Sequence, residues 1–324
     1  MGEVAVTAAL PGQALSLLAE RHEVRVRPPG PPLAGRELVS FVGDADALIC
    51  LLADQVGAEL FTLCPRLKVV ADYAVGVNNV DLEAARTSGV WVTNTPDVLT
   101  AATADLTWAL ILAVTRRVVE GDLLVRNRDF TGWRPDFMLG IGLQGKALGI
   151  VGMGRIGRAV TRRANGFGMR VLYTSLERVP PFEAMGAEYV ADLDALLPQV
   201  DVLSLHCPLT NKTRHLIDSR RLHLLPRGAF LVNASRGEVV DEAALAAALE
   251  EGHLAGAGLD VYEHEPEVHP GLLERKDVVL LPHLGSATAE TRAAMADLVV
   301  ENVMAVLAGN PPPTPVVTPV VPRR

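Results

Sequence analysis

The sequence has few cysteines, and their placement excludes two classes of protein. Cys50, Cys64 and Cys207 are odd in number and widely spaced. They therefore predict neither a disulfide framework nor a cluster of metal ligands. A chain without disulfides is typical of a reducing compartment, so we expect a cytoplasmic protein that holds no metal.

Long apolar runs and an excess of basic charge are also missing. The most apolar long stretch, residues 101–114, is interrupted by Thr103, Asp105 and Thr107, and it is too short and too polar to span a bilayer. The first ten residues lack the basic segment of a signal peptide. The chain has 30 basic against 38 acidic residues, a formal charge of -8. A mildly acidic surface argues against nucleic acid or an anionic membrane as the main partner.

The pattern of apolar segments predicts an α/β protein with two domains. A chain of 324 residues is long enough for two buried cores. Short Val/Ile/Leu-rich runs alternate with helical patterns, which is typical of parallel sheets covered on both faces. Eleven strands would be too many for one open sheet, so two sheets are expected. The predicted strands are residues 4–7, 23–26, 47–51, 67–71, 90–92, 147–151, 170–173, 202–205, 229–232, 256–259 and 278–281.

Two long helices are predicted, one between the two series of strands and one near the C-terminus. The first covers about residues 99–125. The second covers about residues 287–308, because Gly309 is suited to end a helix and the prolines that follow forbid its continuation. The Pro- and Val-rich tail, residues 311–322, is either an extended segment packed on the first domain or a disordered end. Chain termini are usually poorly ordered, which favours the second interpretation.

Residues 147–167 contain the G-x-G-x-x-G pattern of a dinucleotide-binding turn, placed between an apolar strand and a helix. Gly152 would allow the tight turn, Gly154 the approach of a pyrophosphate, and Gly157 close packing of helix on strand. The helix N-terminus would then face the pyrophosphate. The turn residues expected at the cofactor are Gly152, Met153, Gly154, Arg155, Ile156 and Gly157.

The end of the next predicted strand bears on the choice of cofactor. NAD-dependent enzymes usually have Asp or Glu at this place, where it binds the ribose hydroxyls. Ser175 stands there instead, and Arg178 could pair with a 2'-phosphate. Glu177 would oppose that phosphate if it turned inward. We therefore expect NADPH in preference to NADH, the alternative being a solvated loop that accepts either cofactor.

Three successive strand ends carry residues suited to the reduction of a 2-oxo acid. That chemistry needs a cation for the carboxylate, an acid that donates a proton near neutral pH, and a carboxylate that orients the acid. Arg236, His283 and either Glu263 or Glu265 follow predicted strands. Each residue alone is more simply a salt-bridge, packed or surface side chain. Because the carboxyl ends of parallel strands meet at one edge, their joint occurrence favours a catalytic site.

Taken together, these segments resemble the D-isomer-specific 2-hydroxyacid dehydrogenase family over nearly the whole chain, and most closely its glyoxylate/hydroxypyruvate reductases. No single motif would be specific, but the set is. The resemblance implies that the catalytic carboxylate is the one before Pro266, hence Glu265, beside Arg236 and His283. The matching segments are residues 75–81, 152–157, 206–213, 233–237, 260–266 and 282–288, together with 132–143 for the reductase branch.

The resemblance also implies a discontinuous fold. Residues 1–98 and 287–324 would form the substrate domain, and residues 99–286 would form the dinucleotide-binding domain between them. Both would be doubly wound parallel-sheet domains, Rossmann-like or flavodoxin-like, with a cleft between them. Residues 77–79 depart from the family pattern, because many members carry an acidic residue shortly after the Val-Gly pair.

Further site residues follow from the resemblance alone. Substrate contacts are implied for Val75 and Gly76 through their backbone, besides Arg236 and His283. In the reductase branch the tryptophan at Trp133 reaches into the partner subunit's site, whereas a plain role as an interface anchor is equally compatible with the sequence. A homodimer is expected in both cases. The implied cofactor contacts are Thr103, Pro208, Thr213, Ala234, Asp260 and Gly285.

The function that follows is NAD(P)H-dependent reduction of glyoxylate to glycolate or of hydroxypyruvate to D-glycerate, with His283 as proton donor. One alternative is another branch of the family, acting on 3-phosphoglycerate, D-lactate or phosphite. A second is a dinucleotide-sensing corepressor, which can keep the same fold and triad. Turnover separates an enzyme from a sensor, since a sensor binds cofactor but reduces 2-oxo acids poorly.

Overall fold

The computed structural model describes residues 1–323, which divide into two compact units. The first unit is Met1–Leu99 together with the segment from Ser286 onward, and the second is Thr100–Gly285. In this part of the chain no helix is long and apolar enough to cross a membrane.

The first unit is built on a six-stranded sheet whose order is β13-β5-β4-β3-β1-β2. Its five N-terminal strands are mutually parallel, and β13, the last strand of the chain, runs antiparallel to β5. The strands are β1 Glu3–Val6, β2 Glu23–Val26, β3 Ala47–Cys50, β4 Val69–Asp72, β5 Trp91–Thr93 and β13 Pro315–Val317. The helices are α1 Ala14–Ala19, α2 Gly35–Val42, α3 Ala58–Leu63, α4 Leu82–Thr87 and α13 Ala289–Leu307.

The second unit is built on a seven-stranded parallel sheet whose order is β12-β11-β10-β9-β6-β7-β8. Its strands are β6 Ala147–Val151, β7 Arg170–Thr174, β8 Ala187–Tyr189, β9 Val202–Leu205, β10 Ala229–Asn233, β11 Leu254–Leu259 and β12 Val278–Leu280. Its helices are α5 Thr100–Thr115, α6 Val118–Arg126, α7 Arg155–Ala164, α8 Pro180–Glu183, α9 Leu193–Leu196, α10 Ser219–Leu224, α11 Glu242–Glu250 and α12 Pro270–Leu273.

The strand order of the second unit reverses between β6 and β9, since β7 lies on one side of β6 and β9 on the other. Ligands of open α/β sheets bind at the carboxyl ends of the strands beside such a reversal. Separate apolar cores fill the two faces of the sheet. The predicted fold class, two doubly wound parallel-sheet domains, is confirmed.

The prediction of one helix over residues 99–125 is wrong. The helix breaks at Arg117, whose φ of 54° is left-handed, so that α5 ends at Thr115 and α6 begins at Val118. A left-handed residue cannot continue a right-handed helix. The helix after the glycine turn, α7, ends at Ala164, and a 3-10 turn, Asn165–Phe167, follows it.

The preference for a disordered C-terminal tail is wrong as well. β13 pairs with β5, and the Arg323 guanidinium donates hydrogen bonds to the carbonyls of Phe61, Cys64, Leu67 and Ser88. The chain passes so close to Gly89 that a Cβ there would lie 2.5 Å from the Val321 carbonyl oxygen. Contacts far apart in the sequence order this segment, and its local composition does not reveal them.

Candidate dinucleotide and catalytic site

The turn between β6 and α7 has the geometry of a phosphate cradle. Gly152 has a φ of 98°, and a Cβ there would lie 2.7 Å from the backbone of His206 and Cys207. Gly154 is the N-cap of α7 and faces open space. No side chain caps this helix, so its first N–H groups are available to an anion. These residues fit the pyrophosphate of a dinucleotide.

Gly157 holds the first turn of α7 against that loop. A Cβ at this position would lie 2.1 Å from the carbonyl oxygen of Gly152, which no side chain tolerates. Met153 is buried beneath the turn, with its sulfur 3.6 Å from the Thr161 hydroxyl, whereas Arg155 is exposed. The three glycines therefore stand where the sequence pattern requires them.

At the carboxyl end of β7 the polar side chains of Ser175 and Arg178 both bind nearby groups of the protein. The Ser175 hydroxyl donates to the Glu177 carbonyl. Arg178 forms an ion pair with Glu183 and lies over the Tyr189 ring, 5.6 Å from its centroid. The side chain at this strand end is thus a hydroxyl, and the nearby guanidinium already has an acidic partner.

The loop after β9 lies beside the glycine turn. The Thr213 hydroxyl donates to the Pro208 carbonyl at 2.7 Å and accepts from the Thr210 amide at 2.7 Å. Pro208 and Thr213, both predicted cofactor contacts, therefore lie in one turn. His206 precedes them; its Nε2 lies 2.8 Å from the Ser204 hydroxyl, and its buried Nδ1 has no hydrogen-bond partner within the described residues. Burial lowers the pKa of His206 to about 4.

The turn after β10 presents Arg236. Buried Asn233 shapes it, since its Nδ2 donates to the Arg236 carbonyl at 2.9 Å and its Oδ1 accepts from the Ser235 amide at 3.0 Å. Ala234 lies half-buried inside this turn. Arg236 is half-buried, and one of its guanidinium nitrogens donates to the Ser235 carbonyl.

His283 and Glu265 form a hydrogen-bonded pair beyond β12 and β11. The imidazole Nδ1 lies 2.9 and 3.2 Å from the two carboxylate oxygens, and the side chains remain 25% and 31% exposed. Because Nδ1 is engaged by the carboxylate, Nε2 is the nitrogen that can serve a substrate. The geometry is that of a histidine acid held by a carboxylate.

The environment of Glu265 favours its charged form. Burial acts to raise the pKa of Glu265, but the hydrogen bond and charge of His283, the Tyr262 amide and the charge of Arg236 outweigh it and hold that pKa below its usual value. Arg236 is therefore electrostatically coupled to the pair. The structure brings these three predicted residues together at one edge of the sheet.

Asp260 fixes the backbone that carries His283. Its carboxylate accepts the Leu284 and Gly285 amides at 2.6 and 2.8 Å, and its carbonyl accepts the His283 amide at 2.9 Å. Burial raises the pKa of Asp260 against the opposing effect of these amides and of His283. The Thr103 hydroxyl donates to the Gly285 carbonyl at 3.1 Å, so Thr103, Asp260 and Gly285 form one buried cluster.

The other predicted substrate residues are Val75, Gly76 and Trp133. Val75 and Gly76 lie in the first unit after β4, and the Val75 carbonyl accepts the Asn94 side chain at 2.7 Å. Trp133 lies in the irregular segment after α6 and is 80% exposed. Their predicted roles stay predictions. Within residues 1–323 no group of acidic, histidine or cysteine side chains is arranged to hold a metal ion.

Sequence reasoning missed three residues that shape the site. Asn233 and Gly237 belong to one of the family-like segments, but no role was predicted for them, and a Cβ at Gly237 would lie 1.8 Å from the backbone of Tyr262. Glu242 reads as an ordinary helix-start acid, yet it is only 5% exposed. The signal for Gly237 was its place directly after Arg236, one of the three predicted catalytic residues; nothing local distinguishes Glu242.

A phosphate cradle at a strand-order reversal, beside a carboxylate–histidine pair and an arginine, defines a dinucleotide-dependent oxidoreductase. The family model described as "D-isomer specific 2-hydroxyacid dehydrogenase, NAD binding domain" matches residues 108–285. The chain belongs to the D-isomer-specific 2-hydroxyacid dehydrogenase family, and its cofactor is a nicotinamide dinucleotide.

Relatives match almost the full length of the chain. It is 48% identical to a glyoxylate reductase of Thermococcus litoralis, over 96% of this chain and 95% of the relative. A protein of known structure from Thermus thermophilus is 49% identical, with a TM-score of 0.91 and coverage of 97% and 100%. An NADPH-dependent glyoxylate/hydroxypyruvate reductase from Sinorhizobium meliloti, solved with NADP and malonate, is 32% identical, with a TM-score of 0.87 and coverage of 100% and 99%.

Proposed function

We propose that the protein reduces glyoxylate to glycolate and hydroxypyruvate to D-glycerate. The observation that carries the proposal is the His283–Glu265 pair, 2.9 Å apart, on the same sheet edge as the glycine turn. Relatives named glyoxylate reductase support the choice of substrate. When bound, the nicotinamide cofactor supplies the hydride for the carbonyl carbon.

The protein side chains have separate tasks in this reaction. Arg236 binds the substrate carboxylate and polarises the carbonyl. His283 donates a proton from Nε2 to the carbonyl oxygen as it becomes an alkoxide, and Glu265 orients the imidazole through Nδ1. Asp260 keeps the His283 backbone in place and, with Thr103 and Gly285, is assigned to the cofactor. Val75 and Gly76 of the first unit remain predicted ligands of the substrate.

The first experiment is a set of initial rates with glyoxylate and hydroxypyruvate, each with NADPH and NADH. We expect turnover of both acids, and we expect H283Q to lower kcat by about 10²–10⁴-fold while cofactor binding persists. Near-normal turnover of H283Q would remove His283 from the mechanism. Tight cofactor binding without turnover of either acid would favour the sensing alternative or another substrate branch.

We propose that NADPH is preferred over NADH. Support comes from the hydroxyl of Ser175 at the end of β7, where a carboxylate would repel a 2'-phosphate. The ion pair of Arg178 with Glu183 means that the phosphate must compete with a carboxylate for this guanidinium. R178A should therefore raise the KM for NADPH and leave the KM for NADH unchanged. An equal rise in both would show that Arg178 supports the loop and not the phosphate.

We also propose a homodimer that uses an exposed apolar face. This α6 face comprises Val118, Val119, Leu123 and Val125 of α6 with Phe130, Trp133 and Leu139 of the segment that follows, all more than 40% exposed. A concentration of exposed apolar side chains in one segment of the chain is typical of an interaction site. A second copy of the chain is the occupant we propose, and Trp133 is the residue with which it would reach the partner's site.

A further inference from the structure

Glu265 lies in a short loop between β11 and α12, residues 262–269, which we call the acid loop. Its only strand-like pairing within the described residues is an isolated bridge between His264 and Glu267. Within the loop the Glu265 carboxylate accepts a hydrogen bond from the Tyr262 amide at 3.1 Å. The position of the loop backbone therefore decides where this carboxylate lies, and a misplacement of about 1 Å in a catalytic group can cost about 10²-fold in rate.

The Glu242 carboxylate accepts hydrogen bonds from the acid loop on both sides of Glu265 in the sequence. This residue opens α11 and is almost fully buried. Its Oε1 accepts the backbone amide of Glu263 at 2.7 Å, and its Oε2 accepts the backbone amide of His269 at 3.2 Å. The two amides stand on either side of the catalytic carboxylate, and one side chain spans them.

Two further sets of contacts hold the acid loop against its neighbours. The Glu263 carboxylate accepts the Glu242 amide at 3.4 Å and binds His215 Nε2 at 2.5 Å, which ties the acid loop to the loop after β9. Gly237 lies so close to the peptide between Tyr262 and Glu263 that a Cβ would overlap it. The acid loop is thus held between α11 and the turn that presents Arg236.

We propose that Glu242 is a positioning residue for the His283–Glu265 pair, acting through the backbone of the acid loop. This inference rests on the proposed function. The hydrogen bonds of the Glu242 carboxylate go to the loop amides, whereas the charged groups that act on the pair are Asp260 and Arg236. A carboxylate suits the task because both of its oxygens accept, whereas an amide would direct a donor at one of the two N–H groups.

The test compares E242Q with A248G, a variant on the same helix. Ala248 is buried away from the acid loop, and glycine weakens a helix interior. We expect E242Q to lower kcat about 10- to 100-fold with the KM for the oxo acid changed less than about 3-fold. The acid limb of the kcat profile should move to higher pH, because a looser Glu265 loses part of the His283 hydrogen bond that lowers its pKa. A248G should lower only the Tm.

A second readout does not depend on turnover. NMR titration of the Glu265 carboxylate should show a higher midpoint in E242Q than in the wild type, because the hydrogen bond from His283 that lowers the pKa of Glu265 is weakened, even if neither oxo acid is a substrate. If wild type lacks turnover but the midpoint moves, the proposed function fails while the positioning role stands. If E242Q does not fold, Glu242→Asp replaces it, with a smaller shift in the same direction.

The double variant E242Q/E265Q tests whether Glu242 acts through Glu265. If Glu242 acts through Glu265, E242Q should change little once Glu265 is already glutamine, because coupled residues are not additive. A full additional loss in the E265Q background would overturn the proposal. So would an E242Q enzyme with a lower Tm and an unchanged pH profile and Glu265 titration.

Discussion

At the scale of single residues, Gly157 of the β6–α7 turn is a position with no room for a side chain. We expect Gly157→Ala to abolish dinucleotide binding and to lower the free energy of unfolding by about 1–3 kcal/mol, because its methyl group would meet the Gly152 carbonyl at 2.1 Å. Cofactor titration and urea denaturation measure the two effects.

Gly166→Ala is the matched control for this substitution. Gly166 stands in the 3-10 turn after the same helix, and a Cβ there would meet nothing within 4 Å. Binding and stability should both stay close to wild type. A Gly157→Ala protein that still binds cofactor with normal affinity would contradict the assignment of this turn.

The buried imidazole of His206 predicts a loss of stability in acid. Its pKa is lowered to about 4 by burial, whereas an unfolded histidine titrates near about 6.5. As the pH falls through this window the unfolded chain binds a proton that the folded chain refuses, so stability decreases. Between about pH 7 and pH 5 this group should account for about 2 kcal/mol.

Urea denaturation of His206→Gln at both pH values measures that contribution. The variant should lose about 2 kcal/mol less than wild type on acidification. His223→Gln is the control, because the Ser219 carbonyl and the Glu251 carboxylate raise the pKa of exposed His223, and its removal should not reduce the acid sensitivity. Equal pH dependence of wild type and His206→Gln would contradict the burial argument.

At the scale of elements, the C-terminal tail of the first unit links the ends of two of its helices. The Arg323 guanidinium donates hydrogen bonds to carbonyls at the ends of α3 and α4, two neighbouring helices. Arg323→Ala should lower the free energy of unfolding by about 1–3 kcal/mol, since hydrogen bonds from charged donors are lost and buried carbonyls are left unpaired.

Thermal unfolding of Arg323→Ala beside Arg36→Ala measures the effect. Arg36 is almost fully exposed and reaches Glu59 only at 4.0 Å, so its removal should be neutral. A neutral Arg323→Ala would show that β13 pairing alone orders the tail.

At the scale of the whole molecule, the α6 face predicts the oligomeric state. Leu123→Arg should shift the protein from dimer to monomer in light scattering, because it places a charge in the middle of an apolar surface. Leu17→Arg on α1 is the control, since Leu17 is similarly exposed but lies in the other unit.

Trp133→Ala then separates the two roles of the tryptophan. A partner contribution to the active site predicts a raised KM for hydroxypyruvate in a protein that is still dimeric. A plain interface anchor predicts dissociation with a normal KM. A monomeric wild-type protein would contradict the homodimer altogether.

Most of the fold and the central site could be predicted from the sequence because their signals are local. Apolar runs of strand length, the glycines at 152, 154 and 157, and the residues that follow β10, β11 and β12 all lie within short segments. Because parallel strands end at a common edge, residues at successive strand ends could be combined into one site from their order in the chain. The distinction between Glu263 and Glu265, however, came from the family resemblance and not from spacing.

The sequence by itself determined the alternation of strands and helices, the glycine turn and the polar side chains that follow successive strand ends, because backbone preference and chemical type are properties of short segments. Only the tertiary structure decided the break at Arg117, the docking of the tail and the contacts of Glu242. The docking of the tail and the contacts of Glu242 depend on atoms distant in the chain, namely the carbonyls that Arg323 binds and the amides that Glu242 binds. Such contacts exist only once the chain has folded, and the local sequence carries no record of them.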